Sequence, residues 1–426
     1  MKTNLLCRLL WLATALCSLS CNLISKDRKP PKVIPPIKEI SLDPQPVPAS
    51  TGKLEFSGIS LTDVAVIPLD NTDSQAVIAG TDRLIFRNNF IYNFDLRKEK
   101  SIAIFDRKGR FVKKIQKQGG AEDEYQSIKD ARINTLNGDI ELLCNMGTKL
   151  IIYDSLGNYK SYYRMTECPG PKFFYHIGGS IYLYEQFLAC GDKLMKRGTG
   201  YRLVKRSLAN PEGPGEKFLP YNFSVTVPDA ALNFDAFSAC SWSADTALLY
   251  ENFNDTVYHV TAGAVGYRYV VRFTGEKQKP DNLLTDDAIS NITGHLRANK
   301  LSRVIRFLEN ETHISIFYGY YNWKEQLTTV NNAFYDKGSG RTTVFRNDRL
   351  LAKAGDTPFY FSNYLVPAFL DDSGRFVSMI GADDLSLLLT LKAENNSSFF
   401  KKSGLQQVKA GGNPVLICYT INALNQ

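Results

Sequence analysis

A short unit that occurs twice constrains the fold most. Residues 101–115 read SIAIFDRKGRFVKKI and residues 149–163 read KLIIYDSLGNYKSYY, a spacing of 48 residues. In each copy a first strand ends in an aromatic followed by Asp (Phe105-Asp106, Tyr153-Asp154). Gly stands three positions later (Gly109, Gly157), and an aromatic restarts the next strand (Phe111, Tyr159). This is hairpin chemistry: the Asp carboxylate bonds the turn backbone, and Gly takes positive φ without a Cβ clash. A period of roughly 40 to 50 residues made of short strands is that of a β-propeller blade.

The N-terminus reads as an address. Residues 1–20 carry Lys2 and Arg8 and then an apolar run from Leu9 to Leu19, the order of a secretory signal. The run is shorter than the roughly 20 apolar residues a membrane span requires. Ser18-Leu19-Ser20-Cys21 resembles the lipobox of bacterial lipoproteins, which makes Cys21 the expected lipidation site, although Ser18 replaces the usual aliphatic residue. A plain signal peptide cleaved nearby is the alternative. Residues 21–50 then hold seven prolines from Pro30 to Pro48 with no helical or strand period, and are expected to form an extended tether. The folded body is expected to occupy residues 51–426.

Charge excludes one class of partner. Of the formal net charge of +8, Lys2 and Arg8 supply two and the tether a net two, leaving +4 for the body. Its basic residues lie among acidic neighbours rather than in a stripe, so no nucleic-acid footprint is present. Three of the eight cysteines fall in the signal or at Cys21. Cys144, Cys168, Cys190, Cys240 and Cys418 remain, with no C-x-x-C among them, and are expected to be buried apolar thiols, one disulfide being the alternative.

Along the body, residues 61–69 form a strand standing alone. Strand signals at 76–78, 83–86, 90–94 and 102–105 make up a first blade, and the second copy of the repeat marks a second. A third is expected over 173–205 and a fourth over 234–273. Apolar residues at Leu284, Ala288, Ile292 and Leu296, and later at Val304, Ile305 and Leu308, have helical spacing, which predicts a helical insertion near 281–308. The turn pattern returns at Asp336 and at Asp371 to Phe376, marking blades five and six, and residues 381–392 read as a short helix. The lone strand at 61–69 and the last strand, 415–421, are expected to share one blade and so close the ring.

These motifs together resemble six-bladed β-propeller lipoproteins of Bacteroidota-type bacteria, a family related to NHL propellers. In that family an F-D-x-x-G-x-F hairpin leads into a G-x-G-P-x-E-Y link. Asp106, Gly109, Phe111, Glu124 and Tyr125 match, while Ala121-Glu122-Asp123 stands where the Pro would be. Asn254-Asp255-Thr256-Val257-Tyr258 and Asn413-Pro414-Val415-Leu416 match further family strands. The resemblance implies an all-β fold: a six-bladed propeller of four-stranded antiparallel blades closed by its N- and C-terminal strands. It also implies an outer-membrane lipoprotein working beside nutrient-uptake machinery. Residues 22–25 lack the acidic run usual in surface-exported relatives, so the periplasmic side is expected.

Chemistry is sparse. The four histidines, His176, His259, His295 and His313, have no metal-ligand spacing, and no G-x-S-x-G, H-E-x-x-H, Walker or dinucleotide motif is present. No metal and no cofactor is expected, and no catalytic residue can be named. Residues 313–324, HISIFYGYYNWK, are the most aromatic stretch. Packing of a central strand is the leading reading there, and Tyr318, Tyr320, Tyr321 and Trp323 are the candidate ligand contacts. The expected function is a lipid-anchored binding or scaffold protein for a glycan, a peptide or an outer-membrane protein. A hydrolase or lyase with its site in the central funnel is the alternative.

Overall fold

A computed structural model describes residues 38–42, 56–165, 171, 173–184, 201–210, 213–220, 237–239, 246–250, 256–273, 302–322, 327–346, 350–354, 357–361, 366–383 and 412–422. They form six four-stranded antiparallel blades with two additions at blade edges, one of them the hairpin Leu350–Ala354 and Thr357–Phe361, whose first strand runs parallel to Phe56–Pro68. Blade 1 runs from Arg83–Arg87 at the axis through Phe90–Asp95 and Ser101–Asp106 to Phe111–Ile115 outside. Blade 2 runs from Ile128–Ile133 through Ile140–Cys144 and Lys149–Tyr153 to Tyr159–Arg164, and blade 3 from Phe173–Ile177 to Glu216–Pro220. Blade 4 runs from Phe237–Ala239 to Val265–Phe273, and blade 5 from Ser302–Glu309 to Thr342–Arg346. Blade 6 takes Phe369–Leu370, Phe376–Ile380 and Val415–Asn422 from the C-terminal part of the chain and its fourth strand, Phe56–Pro68, from the N-terminal part.

That last pairing is the expected ring closure. Leu61 faces Ile421 and Pro68 faces Val415 in antiparallel register. The blades cohere because their middle strands are buried on both sides and mostly apolar. Every residue of Ile140–Cys144, Lys149–Tyr153 and Thr246–Tyr250 is buried. Side chains from adjacent blades interleave, as where Tyr92, Ile104 and Ile115 of blade 1 meet Ala131, Leu142 and Ile151 of blade 2. Antiparallel alternation defines two faces. The first-to-second and third-to-fourth turns of each blade open on what we term the turn face; the second-to-third connections and the links between blades open on the link face.

The repeated Asp builds the turns of the turn face. Asp106 Oδ1 accepts from the Lys108 and Arg110 amides at 2.8 and 3.0 Å, and Asp154 Oδ1 accepts from Leu156 and Asn158 at 2.9 and 2.8 Å. Asp336 and Asp371 do the same at 2.7 to 3.3 Å. Gly109 follows with φ +81°, and a Cβ there would lie 2.0 Å from the Pro68 carbonyl, so glycine is required by both conformation and space.

The structure corrects three expectations. Residues 76–78 are not a strand, because Asp73 caps a 3-10 turn at Ser74–Ala76 and Asn413 binds the backbone of Ala76 and Ile78 in place of a neighbouring strand. The fourth strand of blade 1 is Phe111–Ile115 instead. Within the expected helical insertion, Val304, Ile305 and Leu308 lie on the strand Ser302–Glu309, whose register shifts between Val304 and Arg306. That bulge puts Val304 and Phe307, three apart, in one core cluster and so imitates helical spacing. Residues 281–301 lie outside the described residues, as does the expected helix at 381–392 beyond Asp383. The third correction falls in the tether: Lys38–Leu42 is a strand, paired parallel to Val265–Phe273 on the edge of blade 4. Ile40 and Leu42, 1% and 0% exposed, fill the crevice between blades 4 and 5.

Candidate functional site

The inner strand of blade 2 carries polar residues where a propeller strand is otherwise apolar. Asp130, Arg132 and Asn134 alternate with Ala131 and Ile133, and period-two geometry puts them on one side of the strand. All three are buried. Arg83 of blade 1 pairs with Asp130 Oδ1 and donates to the Ala131 carbonyl at 2.5 Å. Asp130 Oδ2 accepts the Phe174 amide of blade 3 at 3.0 Å, and Arg132 Nε returns a bond to the Phe174 carbonyl at 3.2 Å. Arg132 also stands 5.4 Å above the Tyr175 ring. Burial, reinforced by the nearby Arg83 charge, brings the Arg132 guanidinium down to about 10, so it remains charged at neutral pH.

The pattern recurs elsewhere around the axis. Arg87 of blade 1 donates to the Thr135 carbonyl of blade 2, and Arg306 of blade 5 to the Pro367 carbonyl beside blade 6, at 2.9 Å in the latter case. Inner-strand arginines thus reach the backbone next to or within the following blade. Between blades 4 and 5 the fully buried Glu309 receives Arg268 in two bonds of 3.1 and 2.8 Å, Tyr269 at 2.7 Å and Lys337 at 2.6 Å. These groups join blades rather than line an open cleft.

One cluster has the chemistry of a site. His176 of blade 3 brings Nδ1 to 2.9 Å from Glu141 Oε1 and 2.7 Å from Asn134 Nδ2, and Asn134 Nδ2 is itself 2.9 Å from Glu141 Oε1. Asn134 Oδ1 is committed to the Leu136 amide at 2.9 Å, which fixes the amide orientation and leaves Nδ2 as the donor. The three atoms form a nearly equilateral triangle, so Asn134 and His176 compete for one carboxylate oxygen. Among the described residues, the buried His176 Nε2 and Glu141 Oε2 have no hydrogen-bond partner. An imidazole against a carboxylate is an acid–base couple, but at 6% and 2% exposure neither residue is open to solvent. Among the described residues no group of three or more His, Cys, Asp or Glu is arranged to hold a metal.

Three of the aromatic candidates, Tyr318, Tyr320 and Tyr321, lie on the strand His313–Asn322. Tyr318 is fully buried with its ring centroid 5.6 Å from that of Phe273, in the core between blades 4 and 5. Tyr320 and Tyr321 continue the strand His313–Asn322 toward the link face, whereas Trp323 and Cys21 lie outside the described residues. Cys144 and Cys418 are buried free thiols, and the other three body cysteines lie outside the described residues. Sequence reasoning missed the His176–Glu141–Asn134 cluster. Its one sequence signal is the alternation of polar residues from 130 to 134 in a strand that should be apolar.

Among solved structures, a protein of Bacteroides fragilis NCTC 9343 described as exported superposes with a TM-score of 0.63 at 12% identity, covering 90% of this chain and 99% of that one. A member of the DUF4221 family from Bacteroides vulgatus gives 0.53 at 13% identity over 85% and 98%. Virginiamycin B lyase from Staphylococcus aureus reaches only 0.35 at 12% identity over 70% and 82%, too slight a likeness to carry an argument. A comparison with curated proteins finds no match. The profile of one family matches residues 42–420, nearly the whole folded body, and the chain therefore belongs to that family, a domain of unknown function designated DUF4934.

Proposed function

We propose that this protein is exported, carries lipid on Cys21 and serves at the outer membrane, on its periplasmic side, as a non-enzymatic binding or scaffold propeller for a glycan, a peptide or an outer-membrane protein. The observation that carries this reading is the use of the inner-strand charges. Asp130, Arg132, Arg83 and Arg306 are all held by the backbone or by ions of adjoining blades, so they maintain the ring rather than meet a substrate. Support for export comes from the signal-like residues 1–20 and from the Bacteroides fragilis relative described as exported. Cell fractionation tests the address: Cys21→Ala should move the protein from the membrane to the soluble periplasmic fraction, and unchanged retention would refute lipid anchoring. Binding to glycan and peptide arrays by the purified body tests the second half.

The His176–Glu141 couple favours a second reading, hydrolysis or elimination on a glycan or peptide. Under that reading His176→Ala abolishes turnover while leaving array binding intact. Under the binding reading no turnover is found to abolish.

A further inference from the structure

We propose that the crevice between blades 4 and 5 is a recognition groove for an extended peptide segment, taken up by β-strand addition, and that Lys38–Leu42 occupies it as the chain's own ligand in the place of a partner's segment. This gives a surface to the proposed binding of a peptide or protein, and it rests on that reading for the partner alone. Blade 4 already has its four antiparallel strands. Lys38–Leu42 is a fifth, added in parallel to the outer edge of Val265–Phe273, with Lys38 opposite Tyr269 and Leu42 opposite Phe273. Its hold has the parts of strand-addition recognition, a backbone ladder for affinity and pockets for alternate side chains for specificity. Ile40 and Leu42 enter the crevice at 1% and 0% exposure, in one core cluster with Tyr269, Phe307 and Tyr335. Lys38, Glu39 and Ser41 are exposed. Glu39 pairs with Arg272 at 2.9 Å, and Lys38 donates to the Lys337 carbonyl at 3.4 Å while standing 5.1 Å above the Tyr335 ring.

Other outer edges of the ring also take a parallel neighbour. At blade 6, Leu350–Ala354 runs parallel to Phe56–Pro68. At blade 1, just past Phe111–Ile115, Gln118 bridges in parallel to Tyr125, which is fully buried in the core between blades 1 and 2. The difference lies in where the neighbour comes from. Tyr125 is seven positions from Gln118, so the local chain delivers it, whereas Lys38–Leu42 comes from more than two hundred positions away and puts only two side chains into the core. A segment from another protein that offers the same ladder and the same two aliphatic groups meets the same contacts. The groove therefore selects two aliphatic residues two positions apart, an acidic residue just before the first to meet Arg272, and a basic residue before that for the Lys337 carbonyl and the Tyr335 ring. A partner's segment of this chemistry displaces Lys38–Leu42.

The test uses the full chain carrying Ile40→Asp and Leu42→Asp, which empties the groove, with a fluorescent peptide of residues 36–44 as the probe. Anisotropy should rise saturably with the variant, and the native chain, whose groove is filled, should bind the peptide weaker by about tenfold or more. A peptide with Ile40→Asp should not bind, and one with Glu39→Lys should bind several-fold more weakly for want of the Arg272 contact. No saturable binding to a variant that keeps the native ellipticity and elution volume overturns the groove. A variant that fails to fold overturns it as well, because the strand is then part of the blade rather than its ligand. Hydrogen exchange in the native chain gives a second reading without any substitution: the amides of Lys38–Leu42 should exchange well ahead of those of Thr246–Tyr250, and exchange of both segments together overturns the groove. Failure of the groove alongside peptide hits on the arrays leaves the binding role standing at another surface. Array hits without the paired aliphatic residues, the 36–44 peptide still binding the variant, overturn the partner's chemistry alone.

Discussion

The side-chain amide of Asn413 donates to the carbonyl of Asp70 at 2.6 Å, joining the residue that precedes the last strand to the link that opens blade 1. The same Nδ2 donates to Ala76 at 2.7 Å, and Oδ1 accepts the Ile78 amide at 3.0 Å. One buried side chain therefore supplies the partners that residues 70–78 lack for want of a strand beside them. It reinforces the ring at the point where its two ends meet.

Replacing Asn413 with Ala should lower stability by about 3 kcal/mol, since three hydrogen bonds to buried or half-buried backbone are lost at about 1 kcal/mol each. Urea unfolding followed by circular dichroism measures this. A loss under about 1 kcal/mol would mean that solvent replaces the amide without cost. Ending the chain after Gly412 removes the strand held between Phe56–Pro68 and Phe376–Ile380, and the whole body should then unfold rather than fray. A truncated chain with native β-sheet ellipticity and a compact elution volume would contradict closure.

Glu309 is the corresponding electrostatic joint between blades 4 and 5. Glu309→Ala leaves Arg268 and Lys337 beside a buried void, and should cost about 3 to 5 kcal/mol. Adding Arg268→Met to Glu309→Ala should cost less than the sum of the single changes, because the orphaned charge is removed. Strict additivity in the double-mutant cycle would show that the pair is not coupled.

Cys144, at the end of the strand Ile140–Cys144, and Cys418, within Val415–Asn422, are fully buried, and burial pushes both thiols up to about 12. They should resist iodoacetamide in the native protein and react on unfolding, as read by peptide mass spectrometry. Rapid native labelling at either position would show that its blade opens locally.

The parts of the fold legible in the sequence are those written in local chemistry. Asp106, Asp154, Asp336 and Asp371 each bond amides within four residues, so their turns are complete in a short stretch of sequence and recognisable there. Closure was legible for a different reason: an isolated strand at each end of a ring fold has one sensible partner. What escaped depends on distant residues. Lys38–Leu42 has the apolar alternation of only Ile40 and Leu42, and its partners, more than two hundred positions away, are what make it a strand. The bulge at Val304 to Arg306 disguised a strand as a helix by shifting the facing residues by one. The His176–Glu141 contact likewise joins two blades, and no local spacing announces it.

The last prediction concerns acid. Burial lowers the proton affinity of His313, an effect partly opposed by Asp336, and of His259, where Arg268 adds to it. Below about pH 6.5, the ordinary histidine value, the unfolded chain therefore binds protons that the folded chain refuses, and stability falls until the depressed native values are passed. Carboxylates act at lower pH. Burial opposes ionisation of Glu309, Asp106, Asp154 and Asp336, but at Glu309 the Arg268 and Lys337 contacts outweigh it, and at the aspartates the turn amides do. All four are held below the ordinary carboxylate range, so they stabilise the fold above the unfolded value of about 4 and lose that contribution as pH falls through their native values. Both groups give the same sign. The urea midpoint should fall in two stages between about pH 7 and about pH 3, and His313→Gln should reduce the upper stage more than the lower, His259 keeping part of the upper stage and Asp336 losing one of the charges that favour its ionised form. A midpoint that stays constant down to about pH 4 would remove the histidines from this account.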